Sequence, residues 1–549
     1  MDIELTPEQF ERRAVETFPA LERSEAQLAV ARGLYDRLKE LDEHGINGIW
    51  ARVIKNAFAP LFQGRFDYVM GNPPWVNWES LPEEYRSSTV DLWQHHGLFP
   101  HKGMDAILGK GKKDISMLMT YVAMDDYLKD RGRLGFLITQ SVFKTAGAGQ
   151  GFRRFRLGSG ASIAPLVVDD LSELKPFAGA ANRTAIVVLQ RDRQVRYPVP
   201  YTVWRAVDGT RSVPEDVSWE EASRMTTRRR LVAKPVKAED VTSAWMTAAD
   251  LALSSLQKVL GGSDYVAHAG AYTGGANGVY WMEIVGHRPD GLVVVRNLTE
   301  GAKRKVREVQ AAIEPDLVYP LLRPRDIGRW QSQPSAYILM VQDPVRRAGV
   351  AIDVLTARHP KTYAYLAQFE HVLRQRASQA VRRLMDSGPF YSMFAVGEYT
   401  FAPYKVVWPR IAAGLKASVT YAAQGDKTPI PQETVTLVGL DQLDEAHYVC
   451  AVVNCSPFNF VAQSYSQRGG KSFGSPHLLE NLRVPRYDSG NRNHQRLSAL
   501  SQHAHEAAEA GDEARVREIE EEIDQLAARL WGLTDKEVAD IKRSLEELL

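Results

Sequence analysis

The stretch Phe66-Asp67-Tyr68-Val69-Met70-Gly71-Asn72-Pro73-Pro74-Trp75 constrains this chain more than any other. A short apolar run entering Gly-Asn-Pro-Pro-Trp predicts a buried strand ending in a stiff loop, because Pro73 and Pro74 fix their φ angles and donate nothing to a sheet. Such a loop holds its polar and aromatic groups still. An Asn side-chain oxygen and a neighbouring prolyl carbonyl are both acceptors, and together they can receive the two hydrogens of one exocyclic amine. Trp75 beside them can stack on the ring carrying that amine. The set suits a flat, amine-bearing heterocycle such as adenine. Asn-Pro and Pro-Pro pairs are also ordinary loop punctuation, so the surroundings decide between the two readings.

Residues 1–62 read as a helical lead-in, with Leu21, Leu28, Leu34, Leu38 and Leu41 among charged residues and no alternation. After Trp75 comes a polar, Trp-rich insertion containing Trp78, Trp93, His95 and His96. The adjacent histidines have no Asp, Glu or Cys at ligand spacing, which predicts a surface loop and no metal site. Lys110, Lys112 and Lys113 read either as phosphate contacts or as solvated surface. Asp114 starts a helix whose apolar stripe includes Ile115, Leu118, Met119 and Val122, a core pattern that Gly132 ends. A strand over 134–138, a loop, a basic helix with Arg153, Arg154 and Arg156, and strands over 163–169 and 184–189 come next. Strands and helices alternating at these lengths predict an open, doubly wound α/β sheet.

With 549 residues, 44% hydrophobic and 25% charged, the chain is long enough for two to four domains. A formal net charge of +1 excludes nothing, since a basic cleft can be balanced by acidic surface elsewhere. Two cysteines, Cys450 and Cys455, sit in one strand-like run, CAVVNC, which supports neither a disulfide scaffold nor a Cys-based zinc site. The acidic N-terminus has no apolar core, and no run of about 18 apolar residues occurs, so a cytoplasmic location is expected.

GRFDYVMGNPPW, Asp114 at a helix start, RGRLGFLITQSVF and LSELKPFAGAANRTAIVVL, in that order, resemble motifs IV, V, VI and VII to VIII of the gamma-arranged N6-adenine DNA methyltransferases of restriction-modification and phage-defence loci. The resemblance implies that Asn72 and the Pro73 carbonyl bind the target amine. It makes Trp75 and Phe177 the aromatics on the two faces of a flipped base, and Asp114 the acidic residue near the cofactor, S-adenosylmethionine (SAM). The chemistry agrees with these residue types. An adenine amine cannot be reached inside a duplex, so the base is extruded and aromatic walls offset its lost stacking. Two acceptors on the amine hydrogens favour pyramidal nitrogen, leaving its lone pair free to attack without a covalent enzyme intermediate.

Such a domain is also expected to carry a glycine-rich loop after its first strand, upstream of motif IV, with an acidic residue for the cofactor's ribose. Only about 65 residues precede the loop here, and no Gly-rich turn is among them. Gly158 and Gly160 come after the basic helix and read as its C-terminal stop. The run Gly270 to Gly278 lies beyond the catalytic pattern in a loop-to-strand context. The expected organisation is therefore a split enzyme whose partner polypeptide supplies the SAM-binding half, a truncated product, or a chain kept for DNA recognition alone; the first accounts best for a retained Asn-Pro-Pro-Trp.

Residues 63–195 form the expected catalytic portion and 196–245 a polar linker. Segments in 246–490 resemble target-recognition domains in sequence and order: GAYTGGANGVYW, LVYPLLRPRDIGRW, PYKVVWPRI and HYVCAVVNC onward. The expected fold is thus a partial Rossmann-like methyltransferase sheet, an α+β target-recognition domain and a helical tail over 491–549. Basic clusters suit double-stranded DNA: Lys303, Arg304, Lys305 and Arg307; Arg323, Arg325 and Arg329 with Trp330; Arg374, Arg376, Arg382 and Arg383; and Arg468 with Lys471 between glycines. Charged runs are usually solvated faces. In the tail, Val516, Ile519, Ile523, Leu526 and Leu530 make an apolar stripe that reads as docked core or as a partner face, and Thr534 with Glu537 forms a capping box. The functional expectation is a site-specific, SAM-dependent adenine methyltransferase subunit that flips its target base. The alternative is a catalytically silent DNA-recognition subunit of a restriction or phage-defence complex.

Overall fold

A computed structural model describes residues 5–17, 25–44, 64–99, 113–145, 149–174, 182–209, 216–302, 304–465 and 473–548, together with positions 56, 59, 147, 176, 177 and 212–214. Leu21, Lys110, Lys112, Lys303, Arg468 and Lys471 lie outside the described residues.

Seven strands build the sheet that carries the Asn-Pro-Pro-Trp loop: β1 (Phe66–Gly71), β2 (Leu128–Thr139), β3 (Ile163–Asp170), β4 (Thr184–Arg191), β5 (Val199–Ala206), β6 (Thr226–Pro235) and β7 (Trp245–Ala248). Their order is β1-β2-β4-β3-β5-β6-β7. β1 runs parallel to β2 and β3 parallel to β5, and the other pairs are antiparallel. Register puts Val69 opposite Leu134, and Leu134, Phe136 and Ile138 opposite Leu189, Val187 and Ala185. These side chains share one face and are largely withdrawn from water against the helix Ile115–Asp126, with Leu118, Tyr121 and Met124. Each fully buried Leu, Ile, Val or Phe in this layer contributes roughly 1.5–3 kcal/mol.

Several expectations change here. β1 is not buried: it is the last strand of its sheet, and Tyr68 and Met70 keep 71% and 86% of their surface. The residues from 196 to 245 are not a linker, because β5, the helix Trp219–Met225 and β6 extend the same sheet. The helix after Asp114 stops at Asp126, well before Gly132, and β2 starts at Leu128. The basic helix shrinks to one 3-10 turn, Phe152–Arg154, in which Arg153 is fully buried and donates to the carbonyls of Thr242, Val142 and Thr145. Gly158 and Gly160 lie in a turn closed by an Arg156–Ser162 bridge, so they stop no helix. Among its described residues the Trp-rich insertion holds the helix Glu83–His95, with Trp93 at 0% exposure against Phe99 and Trp78. Lys113 is neither phosphate-facing nor solvated: it is buried over the Phe99 ring, 5.0 Å from its centre.

The second half is mixed α+β. A six-stranded sheet comprises Trp281–His287, Val293–Asn297, Gln310–Ile313, Val318–Leu322, Ala336–Leu339 and Ile430–Pro431. A four-stranded one comprises His268–Ala269, Tyr404–Pro409, Ser418–Tyr421 and Val435–Leu440. CAVVNC is the end of a helix, Leu443–Asn454, with Cys455 just beyond it. A segment apolar on all sides loses the period that tells helix from strand. Both thiols are free and buried, and burial pushes their pKa values up. The tail has three helices, Arg492–Glu509, Glu513–Leu530 and Asp535–Leu548. Ile519 and Ile523 dock into the core, so the stripe is an internal face, and Thr534 with Glu537 caps the last helix as expected. Among the described residues no helix is long and apolar enough to cross a membrane.

Candidate functional site

The Asn-Pro-Pro-Trp loop leaves the C-terminal end of β1, where open α/β sheets bind their ligands. Gly71 allows the approach: a Cβ there would lie 3.1 Å from Phe136 Cε1. Asn72 is exposed, Pro73 is buried, and Trp75 is half-buried.

Hydrogen bonds on both sides of Trp75 hold the loop in place. The Trp75 indole donates from Nε1 to the Leu137 carbonyl on β2 at 3.0 Å, while the Trp75 carbonyl accepts from Asn182 Nδ2 at 3.0 Å. Farther on, Trp78 N donates to Lys113 O at 2.7 Å and Ile115 N to Val76 O at 2.9 Å, around an Asn77–Asp114 bridge. The chain from the loop is thereby stapled to the start of the Ile115–Asp126 helix. Asp114 caps that helix, its Oδ1 accepting from Ser116 N at 2.9 Å. Burial pushes the Asp114 carboxyl pKa up, and the Ser116 hydrogen bonds partly offset this.

Phe177 is brought to Trp75, with ring centres 5.1 Å apart and planes at 64°. The two aromatics meet edge to face, a favourable pairing that leaves no slot between them. The structure therefore joins Trp75, Phe177 and Asp114 around one loop.

Deeper, between β2, β3 and β5, lies a polar cluster that the sequence does not announce. Asp170 accepts from Gln140 Nε2 at 3.1 Å and from the Tyr201 hydroxyl. Lys144 Nζ donates to Thr247 Oγ1 and to Ser464 O, both at 2.7 Å, tying the seven-stranded sheet to the helix Ser456–Tyr465. Burial pushes the Lys144 pKa down to about 7 despite nearby Asp170. Nothing local in TQSVFKT signals this, because the partners lie 103 and 320 residues away. Asn182 does carry a signal, since it opens the NRTAIVVL stretch, but in the sequence that stretch marks only the start of β4.

The histidine pair also differs from expectation. Asp125 lies beside it, and ligand atoms of His95, His96 and Asp125 fall within 4.8 Å of one another. Yet His96 Nδ1 accepts from Gly158 N at 3.0 Å, and Asp125 accepts from Ser159 N at 3.0 Å and from its hydroxyl. Burial holds the His96 pKa down. The group works as a latch on the turn before β3.

Of the basic residues, Arg325 is exposed at the rim of an open cleft of about 850 Å³ lined also by Trp330, Ser418, Tyr421 and His505. Lys305 is exposed, and Arg304 donates to Gln375 O at 2.7 Å. Arg376 is no phosphate contact. It is fully buried and donates to the carbonyls of Thr273, Ser392, Phe390 and Leu373.

Residues 17–167 match the model of a family described as Eco57I restriction-modification methylase. Over 189 residues the chain is 24% identical to the type II methyltransferase M.NspV of Nostoc sp., which is 34% of this chain and 37% of that protein. Among solved structures, the type IIL restriction-modification enzyme MmeI in complex with DNA aligns at 9% identity, covering 88% of this chain and 56% of that one, with a TM-score of 0.49. The type IIG restriction endonuclease BpuSI aligns at 13% identity over 85% and 54%, with a TM-score of 0.26. The chain thus spans little more than a third of M.NspV and about half of MmeI. The family match covers the part of the chain that carries the Asn-Pro-Pro-Trp loop, and together with the M.NspV similarity it supports a restriction-modification DNA methylase.

Proposed function

We propose that this chain is the base-handling subunit of a site-specific adenine N6 methyltransferase. The observation that carries the reading is the placement of Asn72-Pro73 at the C-terminal end of β1, with Trp75 and Phe177 in contact beside it. In this reading Asn72 Oδ1 and the Pro73 carbonyl accept the two amine hydrogens of a flipped adenine, and Trp75 and Phe177 part to take its ring. Asn182 and Leu137 keep Trp75 oriented. Lys305 and Arg325, with Arg304 as a supporting contact and Lys303, Arg468 and Lys471 from the sequence, serve the phosphate backbone of double-stranded DNA.

The methyl donor that such chemistry needs is SAM. The described residues do not fit it as a complete cradle. Among them the strand His268–Ala269 does lead through the glycine-rich residues 270–276 into the helix Asn277–Tyr280, but that strand belongs to the four-stranded sheet and not to the one carrying Asn72, and Asp114, the residue matched to the cofactor side, already uses one carboxylate oxygen as a helix cap. A protein partner carrying that half completes the proposal. The test is transfer of tritium from labelled SAM to DNA, by this chain alone and in its native complex, with Asn72→Ala as control. Label in the complex that Asn72→Ala abolishes supports the reading; DNA binding that Asn72→Ala leaves intact, with no label in either preparation, favours a silent recognition subunit.

A further inference from the structure

We infer that Glu173 is a positioning residue for the base slot: its carboxylate, held between Arg205 and Arg229, fixes the segment that carries Phe177 and so sets where that ring meets the target base. This deepens the methyltransferase reading and rests on it for the identity of the base.

The arrangement follows from strand alternation. On β5, Tyr201 and Val203 point into the core, and Arg205, two residues on, continues the same face at the carboxyl end of the strand. Register puts Val203 opposite Arg229 and Trp204 opposite Arg228. Arg229 therefore turns to the face of Arg205, while Arg228 turns to the opposite one and lies over the Trp204 ring. The segment leaving β3 meets the Arg205 and Arg229 side chains. Arg205 Nε donates to Glu173 Oε2, and Arg229 Nη2 lies 3.6 Å from Glu173 Oε1, so each carboxylate oxygen faces its own arginine.

The root of the same segment is fixed by the backbone. Ser172 N donates to Asp170 Oδ1 at 2.8 Å, Leu171 N to Thr184 O at 3.0 Å, and Leu174 N to Leu171 O at 2.9 Å. Phe177 comes four residues after Glu173 (177 − 173), a reach of no more than about 14 Å even when fully extended. Pro176 just before it has a fixed φ, which stiffens the arm. Across the slot, Trp75 is tied by its indole to Leu137 and by its carbonyl to Asn182. The opening that a base needs therefore falls on the Phe177 side. Among the described residues before Phe177, Glu173 is the nearest one held by an ion pair. The side chains of Glu173, Arg205 and Arg229 keep 28%, 34% and 17% of their surface, and partly exposed pairs of this kind add little to stability. What this one supplies is geometry.

Two measurements test the role. In the isolated full chain carrying 4-fluorophenylalanine at position 177, the fluorine line should be displaced from its free amino-acid position by the Trp75 ring, and Glu173→Gln should move it at least halfway back while the Tm stays within about two degrees. In the native complex, Glu173→Gln should lower the single-turnover rate of methyl transfer to DNA by about 3- to 30-fold, with DNA affinity changed less than about twofold. In a Phe177→Ala background the same substitution should change that rate by less than about twofold, because Glu173 acts through Phe177. An unmoved fluorine line, or an equal loss of rate in both backgrounds, overturns the positioning role. The enzymatic reading fails separately. A fluorine line that moves in a chain whose native complex transfers no methyl group to DNA leaves the tether and removes the methyltransferase, whereas an undiminished rate in Glu173→Gln removes the positioning role and leaves the methyltransferase.

Discussion

Trp75 and Phe177 meet edge to face, 5.1 Å between ring centres and 64° between planes, although 102 residues separate them in the chain (177 − 75). A ring sandwiched between two others at van der Waals distance needs its walls about 7–8 Å apart. The pair must open by a few ångströms to admit a base. Replacing Phe177 with Ala removes one wall and should lower kcat/KM for DNA methylation by roughly 5- to 150-fold, the equivalent of ~1–3 kcal/mol of stacking. Trp75 fluorescence should also shift on DNA binding in the wild type and far less in Phe177→Ala.

Asn182 donates to the Trp75 carbonyl, so it acts through Trp75 and positions it. Asn182→Ala should lower kcat several-fold with little change in KM, consistent with about 1 kcal/mol for one lost hydrogen bond. Asn182→Asp, which keeps an acceptor but loses the donor, should not rescue it. Steady-state kinetics of both variants decide this.

A Cβ at Gly71 would lie 3.1 Å from the Phe136 ring, so a larger side chain forces that ring to give way. Gly71→Val should cost ~1–3 kcal/mol through overpacking and push the Asn72 loop away from β2. Thermal unfolding gives the first effect, and a disproportionate fall in kcat gives the second.

Two arginines from the basic clusters should behave oppositely. Arg376→Ala removes a guanidinium donor from four carbonyls and should lower the Tm sharply, losing DNA binding only because the fold is damaged. Arg325→Ala should leave the Tm unchanged, weaken DNA binding across sequences and reduce the slope of log K against log salt by about 1. Melting curves and binding isotherms at several salt concentrations separate the two.

Lys144 has its pKa pushed down to about 7 by burial, below the ordinary lysine value. Below that pH the ammonium is charged in the folded and the unfolded chain, and its burial penalty is fully present. As pH rises from about 7 toward the unfolded lysine pKa near 10.4, the unfolded chain holds the extra proton and this penalty is progressively lost, so the Lys144 contribution to stability rises. Lys144→Met should flatten that part of the stability profile, measured by denaturant unfolding across the pH range.

Much of the loop is legible in the sequence, for identifiable reasons. Pro73 and Pro74 can only punctuate, and Asp114 before an apolar helical stripe can only cap, so the strand end and the helix start come from local chemistry. The strands at 163–170 and 184–191 carry clear β-branched runs. The rest depends on distance in space. β5 and β6 look like a linker because their arginines face solvent and aromatic partners, as Arg228 does over Trp204 at 4.1 Å, so the strands read as polar. Leu443–Asn454 looks like a strand because burial on every side erases its period. The apolar residues of β1 imply burial, and the structure leaves the strand at the open end of the sheet. Lys144, Asp170 and Arg376 are set by partners that no local pattern announces.

The central claim is that Asn72 accepts the amine of a flipped adenine. Its most direct test is the initial rate of tritium transfer from labelled SAM to adenine in DNA by the native complex, comparing wild type with Asn72→Ala, alongside DNA affinity for both. The account predicts a fall of at least a hundredfold in the methylation rate with affinity changed by less than about threefold. Methylation at an undiminished rate in Asn72→Ala, or label found on cytosine in place of adenine, would contradict it.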